Sequence, residues 1–303
     1  MEPSVSGMER SSARAARVHR WLTISRVIDL HCHILPGIDD GPPDEAGSVA
    51  LGRALVADGC QIVAATPHLR EDFPAVRPDE LAARCEAVNA ALAGASVPLE
   101  VVPGGEVDLL WARDASDEEL RLVTFGQRGT DLLLETPSGP LPDGFERAVK
   151  ELQERGVRIL LAHPERNPTF QRDPERLARL VDEEVLIQIT ARSLLARSGG
   201  SRELAEALVR DGLAHVVASD AHSAGTRRPP DLIDGVAVAA GMAPELWVLM
   251  VVDAPLAVLA GRPLPRAFGG PEPAHAPVAH GAAMYRREPG ALWRRQSRPP
   301  LQA

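Results

Sequence analysis

Seven short apolar segments, mostly separated by amphipathic runs, constrain this chain more than any other feature. They are VIDLHCH (27–33), QIVAATP (61–67), LEVVP (99–103), DLLLETP (131–137), VRILLAHP (157–164), VLIQIT (185–190) and AHVVASD (214–220). Near-continuous apolar segments of this length suit strands buried on both faces. The runs between them read as helices. DEAGSVALGRALVADG opens with acids and stops at Gly59, and PDELAARCEAVNAALAG, DGFERAVKELQERG, DPERLARLVDEE and SRELAEALVRDG behave alike. Strand–helix alternation requires parallel strands with helical crossovers. Seven repeats predict an α/β fold built as a closed or nearly closed barrel, with a doubly wound sheet as the alternative. No Gly-rich phosphate loop follows the first strand, so nothing favours a nucleotide-binding version. The connection 104–130 is less regular.

The ends differ from this middle. The first 26 residues carry five Arg and no apolar core of signal-peptide length, and the tail 262–303 is rich in Pro, Gly, Ala and Arg. The expected organisation is therefore a disordered extension over 1–26, a barrel over 27–261 and a disordered tail over 262–303. Net charge is −9, but the two ends hold a net +8, so the barrel carries about −17. An acidic barrel does not suit phosphate-backbone binding, and no nucleic acid is expected on it. The basic ends read as solvated low-complexity segments, with contact to an anionic surface as the alternative. No apolar run is long enough to cross a membrane. Three cysteines (Cys32, Cys60, Cys85) lack framework spacing, which suits a reducing cytoplasm.

His31 and His33 project together from the end of the first strand, because alternate residues share a face; Leu30, Cys32 and Ile34 are expected on the other. Two such imidazoles can share a metal ion or be ordinary strand-end residues. The rest of the chain decides between these. His31, His33, His68, His163 and His222 all fall at, or just after, the carboxyl end of a predicted strand, and so do Asp40, Glu106, Glu135 and Asp220. In a parallel barrel that end is the active-site face. Nine nitrogen and oxygen donors exceed the needs of one ion, so two or three are expected; imidazole with carboxylate suits manganese, zinc or iron, with cobalt as a further option. Arg166 follows His163, and Arg228 follows His222; a guanidinium can hold two phosphate oxygens. Arg227 competes with Arg228 for that role. His215 opens the last strand and reads as structural.

The motifs DLHCHILPGIDDGPPDEAGSVAL, IVAATPH, GGEV, LLAHPERN and VVASDAH…RRPP resemble the polymerase and histidinol phosphatase superfamily. Within it they resemble the CpsB/CapC branch of bacterial manganese-dependent protein-tyrosine phosphatases, over residues 27 to about 261. The resemblance implies a distorted (β/α)7 barrel with a trinuclear site held by His31, His33, Asp40, His68, Glu106, Glu135, His163, Asp220 and His222. It implies phosphate contacts from Arg166 and Arg228, and Asp40 counts with them as a catalytic residue. The implied substrate is the phosphotyrosine tail of a bacterial tyrosine kinase controlling capsule or exopolysaccharide export. Two alternatives stand beside it. One is a small-molecule phosphatase acting on histidinol phosphate, with the acids of 104–130 (Asp108, Asp114, Asp117, Glu118, Glu119) forming a lid over imidazole and amine. The other is a non-catalytic regulator that binds the kinase tail.

Overall fold

In the computed structural model, residues 27–265 are described, together with a short antiparallel pairing of Tyr285–Arg286 with Arg294–Arg295. The expected extension over 1–26 and most of the 262–303 tail lie outside the described residues. The first strand, β1 (Val27–Cys32), pairs in parallel with β2 (Cys60–Ala65), and β2 with β4 (Glu100–Pro103). A second parallel sheet runs β3 (His68–Leu69), β5 (Glu106–Val107), β6 (Asp131–Glu135), β7 (Arg158–Ala162), β8 (Leu186–Thr190) and β9 (Val216–Ala218). β2 and β3 form one stave interrupted at Thr66–Pro67, since proline has no N–H to give a ladder. β4 and β5 form another, interrupted at Gly104–Gly105, where a Cβ on Gly105 would lie 2.5 Å from Leu69 Cδ2. The seven staves are the seven apolar segments of the sequence. The ring closes where the Asp220 N–H donates to the His31 carbonyl (2.8 Å) and the His33 N–H donates to the Ala221 carbonyl (2.9 Å). The result is a distorted (β/α)7 barrel.

Helices fill the crossovers as the sequence predicts. Glu45–Ala57 starts at Asp44, whose side chain accepts from the Gly47 N–H, and Leu81–Gly94, Phe145–Glu154, Glu175–Asp182 and Gly200–Arg210 follow. The irregular 104–130 connection contains two short helices, Leu109–Asp114 and Asp117–Val123. Two apolar clusters result. The larger lies between staves and helices; the smaller, with Ile28, Leu30, Ala64, Leu133, Leu160 and Val216, fills the barrel interior. Ala254, Ala257 and Val258 of the helix Ala254–Leu259 also enter the interior cluster and plug its amino-terminal end. Leu264 is buried in the same cluster, so packing continues slightly past residue 261.

The first stave corrects one expectation. Leu30 shares the barrel interior with Ile28 rather than facing away from the histidines, while Cys32 and Ile34 do pack in the outer cluster. The cause is a register shift between Asp29 and Cys32, where β1 has one residue more than β2. Such a bulge re-aims the side chains beyond it, so His31 and His33 turn into the barrel mouth instead of continuing the outward face of Val27. Leu160→Ala, at a fully buried interior position, should cost about 2–5 kcal/mol of stability, read as an earlier midpoint in chemical denaturation.

Candidate metal centre

The mouth of the barrel gathers donors from six of the seven staves and the loops that follow them. Glu106 sits in the middle, fully buried. Its Oε2 lies 3.2 Å from His31 Nε2, 3.3 Å from His33 Nε2 and 3.0 Å from His68 Nδ1, and its Oε1 lies 2.8 Å from His163 Nε2. Asp220 Oδ1 is 3.4 Å from His31 Nε2. Asp40 Oδ1 is 3.0 Å from His222 Nε2 and 3.6 Å from His68 Nε2, while Glu135 Oε2 is 3.6 Å from His68 Nδ1. All nine sequence-predicted donors therefore enter this cluster. They fall into four overlapping groups whose ligand atoms lie within 4.8 Å of one another: His33–Asp40–His68–His222, His31–His33–Asp220, His31–Glu106–His163 and His68–Glu106–Glu135.

The donor atoms fit cations. His68 Nδ1, Glu106 Oε2, Glu135 Oε2 and His222 Nε2 are buried without a hydrogen-bond partner, although buried polar atoms ordinarily have one. His31 Nε2 and His33 Nε2 face each other at 3.3 Å. The opposite ring nitrogens are fixed from outside. His31 Nδ1 pairs with Gln188 Oε1 (3.0 Å), His33 Nδ1 with Asp39 Oδ2 (2.7 Å), and His222 Nδ1 with the Asp220 carbonyl (3.0 Å). Partners of this kind fix imidazole orientation and tautomer around a metal. Asp39 and Gln188 were not among the candidates from sequence. The doubled aspartate of IDDG signalled Asp39; nothing local to Gln188 could have placed it beside a residue 157 positions away. Gly41 lets the IDDG turn fold over the cluster, because a Cβ there would come 2.3 Å from the His33 carbonyl oxygen.

The arginines close one side. Arg166 Nη1 donates to Asp220 Oδ2 (2.7 Å), and Arg228 Nη2 donates to both Asp220 oxygens (2.7 Å each), with Arg228 Nη1 3.3 Å from Asp40 Oδ2. Arg227 is exposed and offers its backbone carbonyl to Ser223 Oγ, so Arg228 is the arginine at the site. A third guanidinium, missed in the sequence, comes from Arg70: its Nη1 donates to Glu135 Oε1 (2.9 Å). His163, Asp220 and Arg228 hold left-handed φ values of 36°, 55° and 55°, conformations that cost about 1–3 kcal/mol each outside glycine and cluster at functional sites. His215 lies apart. Its Nδ1 accepts from the Ile187 N–H (3.0 Å), and burial pushes its pKa down to about 4, so it is a neutral strap between staves.

Residues 27–248 match the family model described as "Capsular polysaccharide synthesis, CpsB/CapC". The chain belongs to the CpsB/CapC family. It is 34% identical over 202 residues to the tyrosine-protein phosphatase YwqE of Bacillus subtilis (strain 168), covering 66% of this chain and 79% of that protein. It is 29% identical over 206 residues to the putative tyrosine-protein phosphatase CapC of Staphylococcus aureus, covering 67% and 79%. A solved structure from work on YwqE and on CpsB from Streptococcus pneumoniae, described as unique metal-dependent tyrosine phosphatases, superposes with a TM-score of 0.70 at 28% identity, covering 82% of this chain and all of that one. The CpsB/CapC match runs from the first stave through the whole cluster and both arginines.

Protonation of this CpsB/CapC site is set by its carboxylates. Burial would lower His33 and His68, but Asp39 and Glu106 hold His33 up at about 9, and Glu106 and Glu135 hold His68 at about 10. Burial and the neighbouring His33 press His222 down to about 4. Against an ordinary imidazole near 6.5, the two raised groups stabilise the fold fully below about pH 6.5, and that stability is lost as pH rises through about 9 to 10. His222 acts oppositely: its contribution is present above about 6.5 and fades as pH falls toward 4. Chelator-treated protein should therefore show falling Tm as pH is raised from about 6.5 to 10. Metals compete with the same protons, so apparent metal affinity should rise with pH, with proton release detectable by titration calorimetry in buffers of differing ionisation enthalpy.

Proposed function

We propose that this chain is a metal-dependent phosphatase that hydrolyses protein phosphotyrosine, with manganese as the working metal. The observation that carries the reading is a nine-donor cluster, with two guanidiniums on its rim, inside a chain of the CpsB/CapC family. His31, His33, Asp40, His68, Glu106, Glu135, His163, Asp220 and His222 are the proposed ligands. The absence of thiolate among them and the mixture of imidazole with four carboxylates favour manganese, with zinc, iron and cobalt as competitors. Two or three ions held there would supply an activated water and neutralise charge on the phosphoryl oxygens.

The chain's own residues do the rest. Arg166 and Arg228 each retain N–H donors beyond those given to Asp220, and these are the proposed hold on the phosphate. Asp40 anchors His222 and Arg228 at the rim. Burial would raise its carboxyl, but His222, His33 and His68 keep it below the usual carboxylate range, so it stays ionised and is no proton donor near neutral pH. A site that does not use Asp40 as an acid favours a good leaving group, and a phenol with pKa of about 10 leaves more readily than an alkyl alcohol. The cavity over the cluster measures about 240 Å³, below the roughly 300–1,000 Å³ of pockets that enclose whole small molecules, which suits the end of a side chain. The family's description in capsular polysaccharide synthesis supports the phosphotyrosine tail of a capsule-controlling kinase as the partner, and three buried free cysteines support a cytoplasmic setting.

The acids of 104–130 do not form a lid over an imidazole. Asp108 caps its helix through Leu110 N–H and Trp111 N–H, Ser116 and Glu119 form a capping box, Asp117 pairs with Arg155, Glu118 pairs with Arg121, and Asp114 is exposed. This weakens histidinol phosphate as substrate, and retention of the whole donor set speaks against a non-catalytic regulator. A thiol mechanism has no support either, because burial pushes the Cys32 and Cys60 thiols up and Cys85 to about 12.

Elemental analysis of active protein should find two or three ions per chain; less than one would remove the multinuclear reading. His31→Ala with His33→Ala should abolish turnover while circular dichroism stays native. Arg166→Ala and Arg228→Ala should each lower kcat/KM about ten- to a hundredfold, the loss of charge-assisted hydrogen bonds worth roughly 1.5–3 kcal/mol, and weaken inhibition by free phosphate. Under identical manganese, a phosphotyrosine peptide should exceed histidinol phosphate in kcat/KM by about tenfold or more; the reverse order would replace the proposed substrate.

A further inference from the structure

One wall of the mouth is a short strap, Thr136–Leu141 (TPSGPL), that leaves the end of β6 and runs over the surface. Thr136, Pro137 and Ser138 line the cavity together with His68, Arg70 and Arg166, and Pro137 is half-buried. A surface loop rich in Pro, Ser and Gly would ordinarily be mobile. This one is fastened at four points, and every fastener comes from the segment 162–169. Thr136 Oγ1 donates to the Ala162 carbonyl (2.6 Å). Asn167 Nδ2 donates to both the Pro137 carbonyl (2.7 Å) and the Gly139 carbonyl (2.8 Å). The Leu141 N–H donates to Thr169 Oγ1 (3.2 Å).

Asn167 is the centre of this arrangement. It is buried, and its Oδ1 accepts from the Thr169 and Phe170 N–H groups as the cap of the helix Pro168–Arg172. All the hydrogen-bonding capacity of the side-chain N–H₂ is spent on the strap. The residue before it is Arg166, one of the proposed phosphate contacts, and His163 lies three residues earlier. The wall and the proposed phosphate hold are thus attached to one segment, 162–169. Pro137 adds a ring of fixed φ whose flat apolar face borders the cavity.

Resting on the phosphatase reading above, we infer that the Asn167-held strap selects the substrate's arm: Pro137 packs against the phenyl ring of phosphotyrosine, a contact that phosphoserine has no ring to make. Asn167 is a positioning residue and Pro137 the specificity contact. An alkyl phosphate gains nothing from the wall, because it has no ring to lay on it.

The test compares kcat/KM for a phosphotyrosine and a phosphoserine peptide of identical flanking sequence, using manganese-loaded wild type, Asn167→Asp and Pro137→Gly. Asn167→Asp keeps the helix-capping oxygen but turns a carboxylate oxygen toward two carbonyls, releasing the strap. Pro137→Gly removes the ring and leaves Asn167 intact. In both variants the phosphotyrosine rate should fall about tenfold through KM, as expected for loss of one well-packed aromatic contact, with phosphoserine turnover and metal content unchanged. Variants that keep the wild-type preference would overturn the inference and leave the phosphatase reading standing. So would a parallel fall on both peptides, which marks a merely structural support of Arg166. A wild type that hydrolyses neither peptide would overturn both readings together.

Discussion

Everything at the barrel mouth depends on a single buried carboxylate. Glu106 is reached by four imidazoles from three staves, three on one oxygen and one on the other. A carboxylate removed from water is costly unless paired, and burial alone would keep it protonated. Instead, contacts with His31, His163 and His33 hold it well below the ordinary carboxylate range. The reciprocal effect raises His31, His33 and His68. Glu106 therefore sets the spacing of these histidines around one carboxylate, and the missing Cβ of Gly105, one residue earlier, lets its strand lie against Leu69.

Asp220 does the same work on the opposite side. Its left-handed backbone turns its carboxylate toward both arginines and His31, while its own carbonyl orients His222. Burial opposes its ionisation, but His31 and Arg166 prevail and keep it below the usual range. One residue thus joins the proposed phosphate hold to the donor cluster, so a change at either is felt at the other through two hydrogen-bonded contacts.

Much of this was legible in the sequence because barrel topology converts strand order into position. Residues at strand ends must share one rim, and that rule brought His31 and Asp220 together across 189 positions without any knowledge of their contacts. The helices were legible from their caps and stops. What escaped depends on tertiary geometry. The bulge that turns His31 and His33 inward changes no residue type, so strict alternation misplaced Leu30. Gln188 reads as a polar residue in a buried strand until His31 is seen opposite it. Arg70 and Asn167 sit among many similar polar residues, and only the folded loops give them partners.

The closing seam has a consequence for how the molecule is made. His31 and Asp220 are not only neighbours in the cluster; their backbones form the hydrogen bond that joins the last stave to the first. Contacts so distant in sequence form late, because a long loop must be closed before they give any return. Two of the four donor groups, His31–Glu106–His163 and His68–Glu106–Glu135, draw only on staves that precede the last one. The other two groups include Asp220 or His222, so the proposed metal site is complete only when residues 220–228 arrive and the ring shuts, late in folding.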